Sequence, residues 1–170
     1  MPRNPKPRAN NQAGAGPLAH GPAELRHYAV GLLARRDHGR SELRTKMMRK
    51  FGPEATVEPV LAWCEQHGFL DDRRFAGIFV RARIDRGQGP LRIRAELLQR
   101  GLPEALIGDA LREADCDWFA LARGVRQRRF RAPPVDRKEK AKQLRFLQSR
   151  GFDAEQSFHA LAHNGDDLEE

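Results

Sequence analysis

The 170-residue chain has little of what a disulfide-stabilised, metal-binding or membrane-spanning protein needs. Its two cysteines, Cys64 and Cys116, form neither a disulfide framework nor a pair at zinc-ligand spacing. No stretch approaches the roughly 20 consecutive apolar residues of a spanning helix, and the basic N-terminus is not followed by the apolar segment of a signal peptide. We therefore expect a cytoplasmic protein without cofactor or membrane contact.

Acidic residues are outnumbered by basic ones. Lysine and arginine total 31 and aspartate and glutamate 23, which gives a net charge of +8. This balance indicates a polyanionic partner, either nucleic acid or an acidic protein surface, although a merely solvated basic surface would explain the total alone. Residues 1–22 are basic and rich in proline, glycine and asparagine, so we expect a disordered basic tail. Residues 164–170 read as a short acidic tail.

Between the tails, β-branched residues are scarce and helical periodicity dominates. The segment 100–103 (RGLP) is followed fifty residues later by 150–153 (RGFD), and 50–53 (KFGP) stands fifty residues earlier. These repeats predict an all-α fold of three tandem three-helix repeats: unit one at 23–69, unit two at 70–116 and unit three at 117–163. We expect the units to form an elongated, curved rod; one compact helical bundle is the alternative.

Several residues have the chemistry of helix ends or helix cores. Ser41 is a plausible N-cap of the second helix, and Asp71 or Asp72 of the fourth. Periodicity predicts that Ile78 and Phe158 face inward. The glycines of 87–90 (GQGP) should set the corner between the first two helices of unit two, with proline in a helical first turn. The residues that we predict to be structural are Asp72, Phe75, Gly87, Gly89, Pro90 and Gly101.

Arginines carry the strongest functional signal. Residues 123–150 hold eight arginines and three lysines against two acids, a net of +9. Arginine forks suit phosphates and carboxylates, so we expect these side chains to bind a polyanion or an acidic protein. The candidates are Arg73, Arg81, Arg83, Arg92, Arg94, Arg123, Arg126, Arg128, Arg129, Lys138 and Lys142.

Catalysis is poorly supported by the sequence. His159 and His163 stand at helical i,i+4 spacing, but no motif supplies a third metal ligand. Segment 87–90 lacks the strand and the lysine of a phosphate loop. No set of acid, base and nucleophile is recognisable, so we expect a protein that is not an enzyme.

Segments 68–76 (GFLDDRRFA), 79–83 (FVRAR) and 87–93 (GQGPLRI) closely resemble the signature of the bacterial RecX family, and 32–43 (LLARRDHGRSEL) resembles its first repeat. The resemblance implies three tandem three-helix repeats. It also implies a negative regulator of RecA, acting in homologous recombination and the SOS response; the serial repeats themselves predict a monomer. Such a protein binds RecA and its filament on single-stranded DNA, and suppresses ATP hydrolysis and strand exchange. Whether it caps the filament or coats its groove stays open.

A helix-turn-helix-like DNA-binding protein is the alternative function, because three-helix units resemble such domains. That alternative requires a helix with a base-reading face and a dimer that spaces two half-sites. The sequence shows neither, although weak direct binding to single- or double-stranded DNA is compatible with its charge.

Overall fold

The structure is a computed structural model that describes residues 20–53 and 55–162. Within these ranges the chain folds into helices joined by short loops, and no residue lies in a strand. The helices are α1 (Pro22–Leu33), α2 (Arg40–Phe51), α3 (Glu58–Gln66), α4 (Asp72–Asp85), α5 (Pro90–Gln99), α6 (Glu104–Glu113), α7 (Trp118–Arg129), α8 (Arg137–Ser149) and α9 (Ala154–Ala162). The predicted acidic tail and most of the predicted basic tail lie outside the described residues.

Each set of three consecutive helices buries an apolar core of its own. Leu43 and Met47 lie in the core of α1–α3, Ile93 and Leu97 in that of α4–α6, and Leu147 in that of α7–α9. The second helix of each set supplies these fully buried side chains, which explains the fifty-residue period of the sequence. The predicted all-α fold of three tandem three-helix repeats is therefore confirmed.

The structure corrects two sequence predictions about apolar positions. Ile78 and Phe158 are 43% and 49% exposed, although periodicity placed them inside. In α4 the buried positions are taken by Ala76, Phe79 and Val80. Each helix is covered by only the two other helices of its unit. The stripe of buried residues along a helix is therefore narrower than the stripe of apolar residues in its sequence.

The helix starts show how neighbouring units are joined. Asp71 caps α4 by accepting a hydrogen bond from the backbone N–H of Arg74. Ser41 is not the cap of α2, because the helix begins two residues earlier than predicted, after Gly39, which has no capping side chain. Instead, the carboxylate of Asp72 accepts from the backbone N–H of Arg40 at 2.7 Å, so unit two supplies the cap for a helix of unit one.

Units two and three meet backbone to backbone at two glycines. The N–H of Gly89 donates to the carbonyl of Arg150 at 2.8 Å, and that of Leu91 to the carbonyl of Gly151 at 3.0 Å. A Cβ on Gly89 would lie 2.3 Å from the carbonyl atoms of Gly151. This contact places the start of α5 against the end of α8, and Pro90 occupies the first helical position.

Units one and two meet in the corresponding way, fifty residues earlier. A Cβ on Gly101, which has a φ of 80°, would lie 2.5 Å from the hydroxyl of Ser41. Gly39 faces Leu102 and the buried ring of Phe75. The start of each second helix therefore abuts the end of the second helix in the next unit, and the units are joined in series.

Because the cores are separate and joined in series, small-angle scattering should show an elongated particle. We expect a radius of gyration well above the ~15–16 Å that compact scaling gives for this length. A value within that range would mean that the units fold back on one another and would contradict the rod.

His38 is buried at the end of the loop that leads into α2. Its side chain is 2% exposed. Nδ1 lies 2.9 Å from the carbonyl of Arg36, and Nε2 lies 3.0 Å from Nζ of Lys46. A neutral ring satisfies both contacts by donating from Nδ1 and accepting at Nε2. Burial lowers the pKa of His38 and outweighs the hydrogen bond to the carbonyl of Arg36, which raises the pKa.

We therefore expect acid to destabilise the protein through His38. The unfolded chain binds a proton at about pH 6.5 and the folded chain only below that, so the free energy of unfolding should fall as pH drops from about 6.5 to the lowered folded pKa. A lowering of the pKa of His38 by one reduces the free energy of unfolding in acid by about 1.4 kcal/mol. Denaturant titrations at several pH values should show this slope in the wild type and in His67→Gln, which changes an exposed histidine, but not in His38→Gln. Equal slopes in all three proteins would contradict the assignment.

Candidate functional site

The predicted binding arginines of unit two are mostly occupied by carboxylates. Arg73 pairs with Glu113, and Arg94 pairs with Glu104. Each pair joins two helices of the unit, and its side chains are between 39% and 65% exposed. These guanidinium groups remain accessible, but the partner carboxylates cancel much of the field that they would present to a polyanion.

Arg83 and Arg92 share one carboxylate, Glu96. Arg83 donates from Nε at 2.8 Å and Arg92 at 3.1 Å. Burial raises the pKa of Glu96, but the two hydrogen bonds outweigh burial and lower the pKa overall. Arg83 is only 16% exposed at its side chain and lies 4.2 Å from the ring centroid of Phe79, so it supports the core of unit two. Arg92 also reaches the carbonyl of Ser149 in unit three.

Arg126 lies in the interior of unit three and is 2% exposed. Burial lowers the pKa of its guanidinium group. It follows the core position Val125 on α7, whereas Arg123 is half-buried and Arg128 and Arg129 are exposed on the same helix. The folded surface therefore offers a partner Arg128 and Arg129, but not Arg126.

Unit three differs from the other two units in how its charges are used. Leaving Arg126 and His159 aside, no charged side chain within 116–162 forms an ion pair with another described residue. The aspartates of this stretch accept hydrogen bonds from backbone N–H groups at helix starts. Asp117 caps α7, Asp136 caps α8, and Asp153 accepts a hydrogen bond from the N–H of Gln156 in α9. Its lysines and its arginines other than Arg126 are consequently left without carboxylate partners among the described residues, including the predicted Lys138 and Lys142, which are exposed on α8.

Three of these cations, together with one from unit two, line a groove where unit three meets unit two. We call it the junction groove; it has a volume of about 420 Å³. Its lining residues are Asp85, Arg86, Val125, Arg128, Arg129, Phe146 and Arg150. Four guanidinium groups and a single carboxylate thus surround one concave site, with Arg86 supplied by unit two.

A second groove, of about 350 Å³, lies between α7 and α8. We call it the loop groove, and its lining residues are Arg129, Phe130, Arg131, Ala132, Glu139, Lys142 and Gln143. Arg129 lines both grooves, so they adjoin. The rings of Phe130 and Phe146, one from each groove, meet edge to face with centroids 5.4 Å apart.

The structure adds three cations to the predicted set: Arg86, Arg131 and Arg150. Two of them immediately precede a glycine with positive φ, Gly87 at 69° and Gly151 at 94°. A basic residue directly before a helix-ending glycine is therefore a signal that the sequence contains. It could have indicated Arg86 and Arg150, because such glycines end helices where two units make contact. Arg81 is exposed on α4, with no ion pair to another described residue.

Within the described residues, no helix is long and apolar enough to cross a membrane. The same part of the chain holds no group of three or more histidine, cysteine or acidic side chains that could hold a metal ion. His163, the second member of the predicted histidine pair, lies outside the described residues. The ring of His159 meets that of Phe119 edge to face at 5.0 Å.

The fold and these grooves define a helical tandem-repeat protein with a basic surface on its last unit. Models of the RecX family match in chain order: the first three-helix domain at 26–64, the second at 71–111 and the third at 115–161. The chain belongs to the RecX family of regulatory proteins.

Individual relatives agree with this assignment. The regulatory protein RecX of Halorhodospira halophila is 48% identical over 146 residues, which cover 85% of this chain and 91% of that protein. That of Escherichia fergusonii is 47% identical over 141 residues, with 76% and 85% covered.

Two solved structures have the same fold. A crystal structure of regulatory protein RecX has a TM-score of 0.67 at 27% identity, covering 84% of this chain and 74% of that one. The structure of RecX from Lactobacillus salivarius has a TM-score of 0.73 at 17% identity and covers 84% and 96%; it supports the fold alone.

Proposed function

We propose that the protein is a negative regulator of RecA that binds RecA and its filament on single-stranded DNA and suppresses ATP hydrolysis and strand exchange. It acts as a cytoplasmic monomer, without catalysis and without a cofactor, in the control of recombination and the SOS response. Membership in the RecX regulatory family supports this role.

The observation that carries the proposal is that ion pairs are distributed unevenly among the three units, which are joined in series. Unit one pairs Arg36, Arg40 and Arg44 with its own glutamates, and unit two pairs most of its predicted arginines in the same way. In unit three, Arg126 and His159 aside, the described cations form no ion pair and are left to a partner. A nucleoprotein filament offers negative charge that repeats along its length. An array of three units joined in series can contact such a partner at several points, so that weak ionic contacts add up.

Titration into RecA assembled on single-stranded DNA tests this role directly. We expect the rate of ATP hydrolysis to fall as the protein is added, and immobilised protein to capture RecA both with and without DNA. Unchanged hydrolysis at saturating protein, together with failure to capture RecA, would overturn the proposal. Tight, sequence-dependent binding to duplex DNA by a dimer would instead support the helix-turn-helix alternative.

A further inference from the structure

The junction groove brings like charges together from separate helices and separate units. Arg128 from α7 and Arg150 at the end of α8 both approach Gly87 of unit two: their terminal nitrogens lie 3.7 and 4.0 Å from where its Cβ would stand. Arg86 and Arg129 line the same groove. Positive charges that converge repel one another unless an anion lies between them. Binding of an anion in this groove therefore stabilises the folded chain.

The carboxylates that line the two grooves do not supply that anion. Asp85 is the single acid of the junction groove and forms no ion pair with a described residue. Glu139, the single acid of the loop groove, accepts a hydrogen bond from the backbone N–H of Val135 at the start of α8. Six cations therefore face the two grooves against two acids: Arg86, Arg128, Arg129, Arg131, Lys142 and Arg150.

The grooves also contain aromatic surface, which distinguishes one kind of polyanion from another. Phe130 and Phe146 are half-buried, and the guanidinium carbons of Arg129 and Arg150 lie 5.3 and 5.8 Å from the centroids of their respective rings, so cations and aromatic rings stand side by side where the grooves adjoin. A single strand of nucleic acid presents unpaired bases next to its phosphates, whereas a duplex keeps its bases stacked inside. Cations that follow a backbone, with aromatic rings beside them, are the elements of single-strand binding sites.

We infer that the junction groove and the loop groove form one continuous site for single-stranded nucleic acid, which binds phosphates through the six cations and stacks a base on Phe130. The site goes beyond the proposed regulation of RecA, because it binds the strand directly and needs no RecA. Arg129, which lines both grooves, connects the two halves of the phosphate track.

Fluorescence anisotropy with labelled oligothymidylate, in the absence of RecA, tests the site. Arg128→Ala/Arg129→Ala should weaken binding at least tenfold at low salt. Because each single-strand phosphate contact contributes about 0.7 to the salt slope, that slope should decrease by about 1.4. The matched control is Arg137→Ala/Arg145→Ala. It removes the same charge from exposed positions of unit three that line neither groove and have no ion pair to a described residue. The control should bind nearly as the wild type does.

A third variant isolates the base contact. Phe130→Leu should weaken binding to oligothymidylate but leave binding to an abasic strand of the same length unchanged. Equal weakening by both arginine pairs would show a general charge effect and overturn the site, as would preference for a duplex of the same length. Unchanged strand binding in Arg128→Ala/Arg129→Ala would also overturn it. If RecA inhibition were lost at the same time, the groove would be a contact for acidic protein, and the proposed function would survive.

Discussion

Gly89→Ala is expected to lower the free energy of unfolding by about 2–4 kcal/mol and to loosen unit three from unit two. The backbone of Gly89 is extended, with φ −82° and ψ 166°, so alanine adopts it without strain. Its Cβ, however, would lie 2.3 Å from the carbonyl atoms of Gly151 and 2.5 Å from the backbone nitrogen of Phe152. Backbone atoms cannot rotate away, so the units must separate and the two backbone hydrogen bonds of the junction are lost.

Gly21→Ala is the matched control for this substitution. Gly21 also precedes the first turn of a helix with Pro22 at its start, and its φ of −72° and ψ of 155° are close to those of Gly89. Among the described residues, nothing beyond its chain neighbours and its own helix lies within 4 Å of where its Cβ would stand. Denaturant titration should show a loss below about 1 kcal/mol for Gly21→Ala, and scattering should show expansion for Gly89→Ala alone. Equal losses in both variants would mean that the glycine contact does not hold the units together.

Gly151 and Gly52 extend the same comparison to the ends of the second helices. Both have positive φ, 94° and 91°, so alanine strains either backbone by about 1–3 kcal/mol. Only at Gly151 would the new Cβ also meet another unit, at 2.3 Å from Cβ of Arg92. The difference between the two variants therefore measures the contact between units, separately from the backbone strain.

The sequence predicted the repeat and most helix ends because these features are local. A glycine ends each second helix, at Gly52, Gly101 and Gly151, and aspartates stand where α7 and α8 begin. What the sequence did not reveal is which unit supplies a cap. Asp72 lies beside the true cap of α4, yet its carboxylate binds the N–H of Arg40, which is 32 residues away in the chain. A local propensity cannot indicate a partner in another unit.

The candidate binding residues were harder to predict for the same physical reason. Arg73 is paired with an acid 40 residues away, which sequence proximity does not indicate. Arg126 and Arg128 are two residues apart, but one is buried and the other exposed, because Val125 and Ala122 fix the face of α7 that enters the core. Charge density along the chain identified unit three, whereas the three-dimensional pairing determines which of its charges a partner can use.

We expect unpaired arginines to matter more for RecA inhibition than paired ones. The unpaired set is Arg81→Ala/Arg128→Ala/Arg129→Ala, and the paired set is Arg73→Ala/Arg94→Ala/Arg112→Ala. Each member of the paired set has a carboxylate partner within its own unit. The unpaired set should raise the concentration needed for half-maximal inhibition of ATP hydrolysis at least tenfold, equivalent to about 1.4 kcal/mol. The paired set should raise it less, because its guanidinium groups must first leave their carboxylates to bind a partner.

Both triple variants remove three positive charges, so general electrostatic attraction falls equally in the two. Exposed ion pairs contribute about 0–1 kcal/mol to folding, so both proteins should keep their helicity and melt near the wild-type temperature. Inhibition by the wild type should also weaken steeply as salt rises, since ionic contacts to phosphates release counterions and contacts to acidic side chains are screened. Equal inhibition by the two variants would show that net charge alone governs binding. Inhibition that stayed constant between low and physiological salt would exclude an ionic mechanism altogether.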